Sequence, residues 1–249
     1  AANLRRPDAP AAPPPHDRLP PLAAEPFAAL GKHHVDHVFA TWYAPDRRSN
    51  ILLVVDASGS MGDPAPGTAT PLIELVRRGA RSLTDLLPDD SRVGVWEFGS
   101  ELAGTSDHRV LLSSGDLAGP HRARLNATID KLAARRTGTG LYDTILNAYR
   151  AGVSFYRPGL PNHVLVFTDG RNQDDAGSIS LAQLGAGLAR AQDPRRPVQL
   201  SVVAFGQRAE AERLEAVFEP VDGYVGTVGS PEEVAAVFIH QAAGGLHAH

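Results

Sequence analysis

Strands alternating with helices predict an α/β chain built on a mostly parallel sheet with helices on both faces. Ile51 to Val55 is a continuous apolar, β-branched-rich run, and His163 to Phe167 reads as another buried strand. Runs of this kind form strands buried on both faces. Between and beyond them, Leu72 to Leu87 and Leu141 to Phe155 carry apolar residues at helical spacing, and such alternation is the signature of crossover units in a parallel sheet. The chain has 249 residues, and at about 150 residues per domain this suits one large domain with an extension.

The elements follow in order. Residues 1–30 hold Pro7, Pro10, Pro13, Pro14, Pro15, Pro20, Pro21 and Pro26; prolines this dense remove amide donors and hold the backbone extended, so the segment reads as an arm or linker. Val35, Val38, Phe39, Trp42 and Tyr43 then form the stripe of a short amphipathic helix ended by Pro45. After the strand at Ile51 and the helix stopped by Pro88, Arg92 to Phe98 reads as a strand and Arg109 to Leu112 as a short, more exposed one. Helices are expected at Arg122 to Ala134, Leu141 to Phe155, Leu181 to Ala191 and Glu210 to Phe218, with strands at Val198 to Phe205 and, weakly, Gly223 to Val228. A last helix runs from Pro231 to Ala243 with Ser230 as its cap.

Composition excludes several classes. Apolar residues make up 43% of the chain, charged residues 21%, and the net charge is −4. No basic field is available for phosphate backbones or anionic membranes, and no apolar run approaches the about 20 residues that span a bilayer. With no cysteine, disulfide scaffolds, thiolate metal sites and Cys nucleophiles are ruled out together, which leaves the compartment open.

The chemistry concentrates where strands end. Asp56-Ala57-Ser58-Gly59-Ser60 follows the first buried strand, Thr168-Asp169-Gly170 ends another, and Thr137-Gly138-Thr139-Gly140 precedes the Leu141 helix. Carboxyl ends of strands are where open α/β sheets hold ligands. Asp56, Ser58 and Ser60 supply a carboxylate and two hydroxyls at alternate positions of a Gly-containing turn, hard oxygen donors suited to Mg²⁺ or a similar cation.

Together these residues resemble the von Willebrand factor A domain and its metal-ion-dependent adhesion site. The family's Asp-x-Ser-x-Ser falls on Asp56, Ser58 and Ser60, its distant threonine on Thr139 and its distant aspartate on Asp169; Gly138 to Asp143 is similar to the Gly-Thr-Ala-Leu-Tyr-Asp segment of bacterial members. The resemblance covers residues 49–243, with 1–48 as an arm and 244–249 as a tail. It implies a doubly wound, six-stranded sheet of order 3-2-1-4-5-6 with an antiparallel third strand. It also implies Mg²⁺, with Mn²⁺ or Ca²⁺ as substitutes, at Asp56, Ser58, Ser60, Thr139 and Asp169, in a non-enzymatic module that binds a partner's Asp or Glu carboxylate. A looser likeness, to exported bacterial proteins in which a solute-binding-like domain precedes such a module, implies an extracellular or envelope location and an upstream domain as partner. Intracellular modules working with AAA+ ATPases are the alternative, and in either setting the module can regulate a neighbouring domain.

Other readings compete for the same residues. Ser60, Asp169 and His240 occur in the chain order of an α/β-hydrolase triad, although that reading leaves Asp56 and Thr139 without a role and puts His240 in a helix. Phosphoryl transfer from Asp56 lacks the second acid expected where Ser58 stands. Gly138 and Gly140 belong to no phosphate-loop pattern. His33, His34 and His37 read as a solvated or packed group, and Asp63, followed by Pro64, as a loop carboxylate. Arg171, Asp174 and Asp175 read equally as partner contacts or as a solvated loop.

Overall fold

The structure, a computed structural model, describes residues 48–104, 106–169, 172–173, 177–205, 208–221 and 223–228. The proline-rich arm, the Val35-to-Tyr43 stripe, the Pro231 helix, His240, Arg171, Asp174 and Asp175 lie outside these residues. Six strands, β1 (Asn50–Asp56), β2 (Arg92–Ala103), β3 (Ser106–Asp116), β4 (Asn162–Thr168), β5 (Gln199–Phe205) and β6 (Tyr224–Val228), form one sheet in the order β3-β2-β1-β4-β5-β6. Only the β2–β3 pair is antiparallel. The α-helices among the described residues are α1 (Leu72–Leu86), α2 (Pro120–Ile129), α3 (Leu141–Ser154), α4 (Leu181–Ala191) and α5 (Arg208–Phe218). The doubly wound α/β expectation and its strand order therefore hold.

Period-two geometry sorts β1 into two cores. Ile51, Leu53 and Val55 join Val93, Val95, Leu165 and Phe167 beneath α1 and α2, meeting Leu75, Val76, Leu125 and Ile129. Leu52 and Val54 join Trp96, Phe98, Val164 and Val166 against α3, α4 and α5, meeting Ile145, Tyr149, Leu188 and Phe218. Every residue of β1 and β4 is buried, the pattern of strands covered on both faces. Close approach of α3 to β4 requires Gly152, where a Cβ would fall 2.7 Å from a methyl of Val164. Within α4, Ser180 and Gln183 form a capping box, each side chain bonding the other's backbone N–H.

Two expectations need correction. The third strand is no four-residue stub from Arg109 to Leu112: β3 spans Ser106–Asp116, and β2 runs on to Ala103. The hairpin therefore climbs past Phe98, the register partner of Asp56 and the end of β1. Antiparallel pairing, rather than an apolar pattern, holds these polar residues extended. Second, α2 stops at Ile129 instead of continuing to Ala134. Lys131 and Leu132 donate to Thr128 O and Ile129 O in a tightening turn, and the chain leaves the helix toward the end of β1.

Candidate metal centre

Asp56 is the last residue of β1 and is fully buried. Its Oδ1 accepts the Ser58 N–H at 2.8 Å, which closes the turn after the strand, and its Oδ2 accepts the Thr168 hydroxyl of β4 at 2.7 Å. A 3-10 turn, Gly59–Gly62, follows, and it places the Ser58 and Ser60 hydroxyls 3.2 Å apart. Asp169 follows Thr168 directly and is 5% exposed. Two carboxylates thus share one strand junction at the reversal of strand order, where open α/β sheets bind ligands.

The third contributor arrives from the loop before α3. Gly59 N–H donates to Thr137 O at 3.2 Å and Ser100 N–H to Gly138 O at 2.8 Å, so the loop is held between the Asp56 turn and the rising hairpin. A Cβ at Gly138 would fall 2.3 Å from Gln173 Oε1 and 2.8 Å from Ser100 Oγ, so the loop packs directly against those two side chains. Thr139 is 1% exposed, and among the described residues its hydroxyl has no hydrogen-bond partner. A buried hydroxyl without a partner costs about 1–3 kcal/mol; Ser49 Oγ, Thr144 Oγ1 and Ser201 Oγ share that state, and what sets Thr139 Oγ1 apart is its place on the loop bound against the Asp56 turn.

Electrostatics agrees. Burial, as the main cause, with the charge of Asp169 adding to it, pushes the Asp56 carboxyl up to about 7, against the hydrogen bonds from Thr168 and Ser58 that favour ionisation. A divalent cation would reverse this balance. Among the described residues no three His, Cys, Asp or Glu side chains group as metal ligands; the donors here are instead two carboxylates and three hydroxyls. That set fits a hard, oxygen-preferring cation.

All five sequence-predicted ligands therefore sit on the two neighbouring strand ends and the loop bound against them. Asp63 is an exposed loop residue whose N–H and C=O bond Ser60 O and the Leu72 N–H, in keeping with its reading as a plain loop carboxylate. The sequence did not disclose the supporting residues. Thr168 clamps Asp56, and Asn172 Oδ1 accepts the Leu141 N–H at 3.0 Å to cap α3 from another loop. Asp143 Oδ2 accepts from the Ser178 hydroxyl and the Ile179 N–H, tying α3 to the segment before α4. Thr168 and Asp143 were visible as motif letters, whereas the Asn172 cap bridges 31 residues and leaves no local signal.

Comparison with known proteins agrees with this architecture. No curated protein sequence matches. Among solved structures, a von Willebrand factor type A protein from Catenulispora acidiphila aligns with a TM-score of 0.59 at 18% identity, over 79% of this chain and 42% of its own. A variant of the PilB minor pilin from Streptococcus sanguinis aligns with a TM-score of 0.59 at 12% identity, over 79% of this chain and 61% of its own. Manganese-loaded TRAP protein from Plasmodium vivax aligns with a TM-score of 0.51 at 18% identity, over 78% of this chain and 74% of its own. The chain thus spans less than two thirds of the Catenulispora and pilin chains. Residues 50–238 match the model of the von Willebrand factor type A domain, and the chain belongs to that family.

Proposed function

We propose that this chain is a metal-ion-dependent protein-binding module that takes an acidic side chain of its partner. Domains of this family are as a rule non-enzymatic interaction modules. The observation that carries the finer reading is the Thr139 hydroxyl, buried without a partner among the described residues on the loop bound to the Asp56 turn. Ser58, Ser60 and Thr139 would hold Mg²⁺, or Mn²⁺ or Ca²⁺ in its place, while Asp56 and Asp169 orient the hydroxyls and the water around it. When bound, the ion supplies an electrophilic position for an anionic oxygen. Neutral hydroxyls quench little of a divalent charge, so this donor set favours a partner's Asp or Glu carboxylate.

The hydrolase reading has no comparable support. Ser60 Oγ meets the Ser58 hydroxyl, and the reading rests on chain order alone, its His240 lying outside the described residues. A place in the cell envelope or outside the cell fits the minor pilin among the structural relatives, and among the described residues no helix is long and apolar enough to cross a membrane. The deciding experiment is calorimetry on chelator-treated protein, first with Mg²⁺ or Mn²⁺ and then with a short Asp-containing peptide. Peptide binding that requires the metal and is lost on chelation is the expected result. Metal-independent binding, or labelling of Ser60 by an active-site-serine probe without metal, overturns the reading.

A further inference from the structure

Close to the loop that carries Thr139 lies an ion cluster that the metal chemistry does not use. Glu97 of β2 is in register with Val55, the residue before Asp56, and its side chain is 1% exposed. Arg109, its register partner on β3, pairs with Oε1. Arg135, from the loop after α2, donates from Nε and from a terminal guanidinium nitrogen to Oε2 at 3.3 Å each. A carboxylate withdrawn this far from water must be paired, so its cations are held in place by the penalty of leaving it alone.

The two arginines stand in different places. Arg109 sits in a regular strand already fixed by its pairing with β2. Arg135 belongs to the irregular segment that delivers Thr139, and the backbone around it is stitched to the site. Its N–H donates to Ala57 O at 2.7 Å, and its C=O accepts the Thr137 N–H at 2.9 Å. The Thr137 hydroxyl donates to Ser100 O at 2.5 Å, and Thr137 O accepts the Gly59 N–H.

We propose that Glu97 is a positioning residue for the metal site and acts through Arg135. The ion pair pins the loop to β2, so that Thr139 is presented to the Asp56-to-Ser60 turn with its hydroxyl already buried. The inference rests on the metal reading above for its effect on affinity, but not for its effect on the loop.

The arginines separate positioning from general support, because each is about two-fifths exposed and its removal leaves the core filled. Arg135→Ala and Arg109→Ala, with Glu97→Gln as a third variant, are compared in the full chain by Mn²⁺ calorimetry and, with chelator, by hydrogen exchange and thermal melting. Arg135→Ala and Glu97→Gln should weaken Mn²⁺ binding by about 10–100-fold, the usual cost of losing an outer-shell support, and should speed exchange at the Gly59 and Arg135 amides. Arg109→Ala should lower the melting temperature comparably while leaving Mn²⁺ affinity within about twofold. The proposal is overturned if Arg135→Ala binds Mn²⁺ like the wild type, or if both arginine variants weaken it alike. Should the wild type bind no Mn²⁺, the metal reading itself fails. The strut then stands if exchange at Gly59 and Arg135 rises in Arg135→Ala alone and falls if it does not, and the arginine variants carry the test even where Glu97→Gln does not fold.

Discussion

The neighbouring strands β1 and β4 each open on an asparagine and lead into an aspartate, and both ends are buried. At the lower end the amides of Asn50 and Asn162 are fully used. Asn50 Nδ2 donates to Asn162 Oδ1 at 2.8 Å and to Phe155 O at 3.0 Å, and its Oδ1 accepts the Ser114 hydroxyl at 3.4 Å. Asn162 donates to Arg157 O and Leu160 O while its Oδ1 also accepts the Arg157 N–H. At the upper end two carboxylates meet, and the Thr139 hydroxyl has no partner. Two neutral amides whose donors and acceptors are all matched are structure, even with the Ser49 hydroxyl beside them unpartnered among the described residues. A cluster that brings together two buried carboxylates and a buried hydroxyl with no partner among the described residues is suited to hold something it does not itself contain.

The comparison breaks most visibly at Asp56. Asp56→Ala should abolish measurable Mg²⁺ binding, whereas metal-free stability should change by no more than about 1 kcal/mol, because losing two hydrogen bonds and no longer burying a charge act in opposite directions. Calorimetry that finds unchanged affinity removes this residue from the site. At the other end, Asn162→Ala should cost about 3 kcal/mol in denaturant unfolding by stranding several buried partners, and metal affinity should stay within about twofold. A variant that loses metal binding in step with stability would mean that the two ends are one cooperative unit.

Much of this contrast was legible beforehand, for a physical reason. Ile51 to Val55 and Val164 to Phe167 are apolar on both faces because helices cover both, so the strands end at the first polar residues, Asp56 and Thr168, and Asp169, the other expected metal-site carboxylate, follows directly. What lay at the edge was harder to read. Ser113 and Ser114 of β3 gave no apolar period, since that strand is partly exposed and is fixed by its partner. Leu132 is buried three residues after Ile129 and so mimics a continuing helix, although the backbone has already turned toward Ala57. Spacing reports burial more faithfully than backbone conformation. The Glu97 pairs were invisible because Arg135 is 38 residues away.

A smaller effect should come from His163, the second residue of β4, near the asparagine end. Burial lowers its pKa from 6.5 to about 4. The folded state holds this imidazole neutral while the unfolded chain protonates it, so the stability it contributes is complete above 6.5 and is lost as pH falls toward 4. Between pH 7 and 5 the loss should be about 2 kcal/mol. The measurement belongs in an Asp56→Ala background with chelator present, because the raised Asp56 carboxyl contributes the opposite slope. Replacing His163 with Asn should flatten the curve, and an unchanged slope would place the acid sensitivity elsewhere.

The smallest effect expected is the sharpest test of the contrast, and it concerns one hydroxyl. Thr139→Val keeps the shape of the side chain and removes only the oxygen. At a site where that oxygen bonded to protein, the exchange would strand a partner and destabilise the fold. Thr139 Oγ1 has no such partner, so metal-free Thr139→Val should be as stable as the wild type or more stable by up to about 1 kcal/mol, since a desolvated hydroxyl has been replaced by a methyl. The same variant should bind Mg²⁺ about tenfold more weakly, or about 1.4 kcal/mol, with one hard donor gone and the charge of the site unchanged. Stability and affinity then move in opposite directions from a single atom, which no purely structural role for Thr139 produces. If instead the metal-free melting temperature falls and Mg²⁺ affinity holds, the hydroxyl is part of the scaffold, and the upper end of the sheet differs from the lower only in charge.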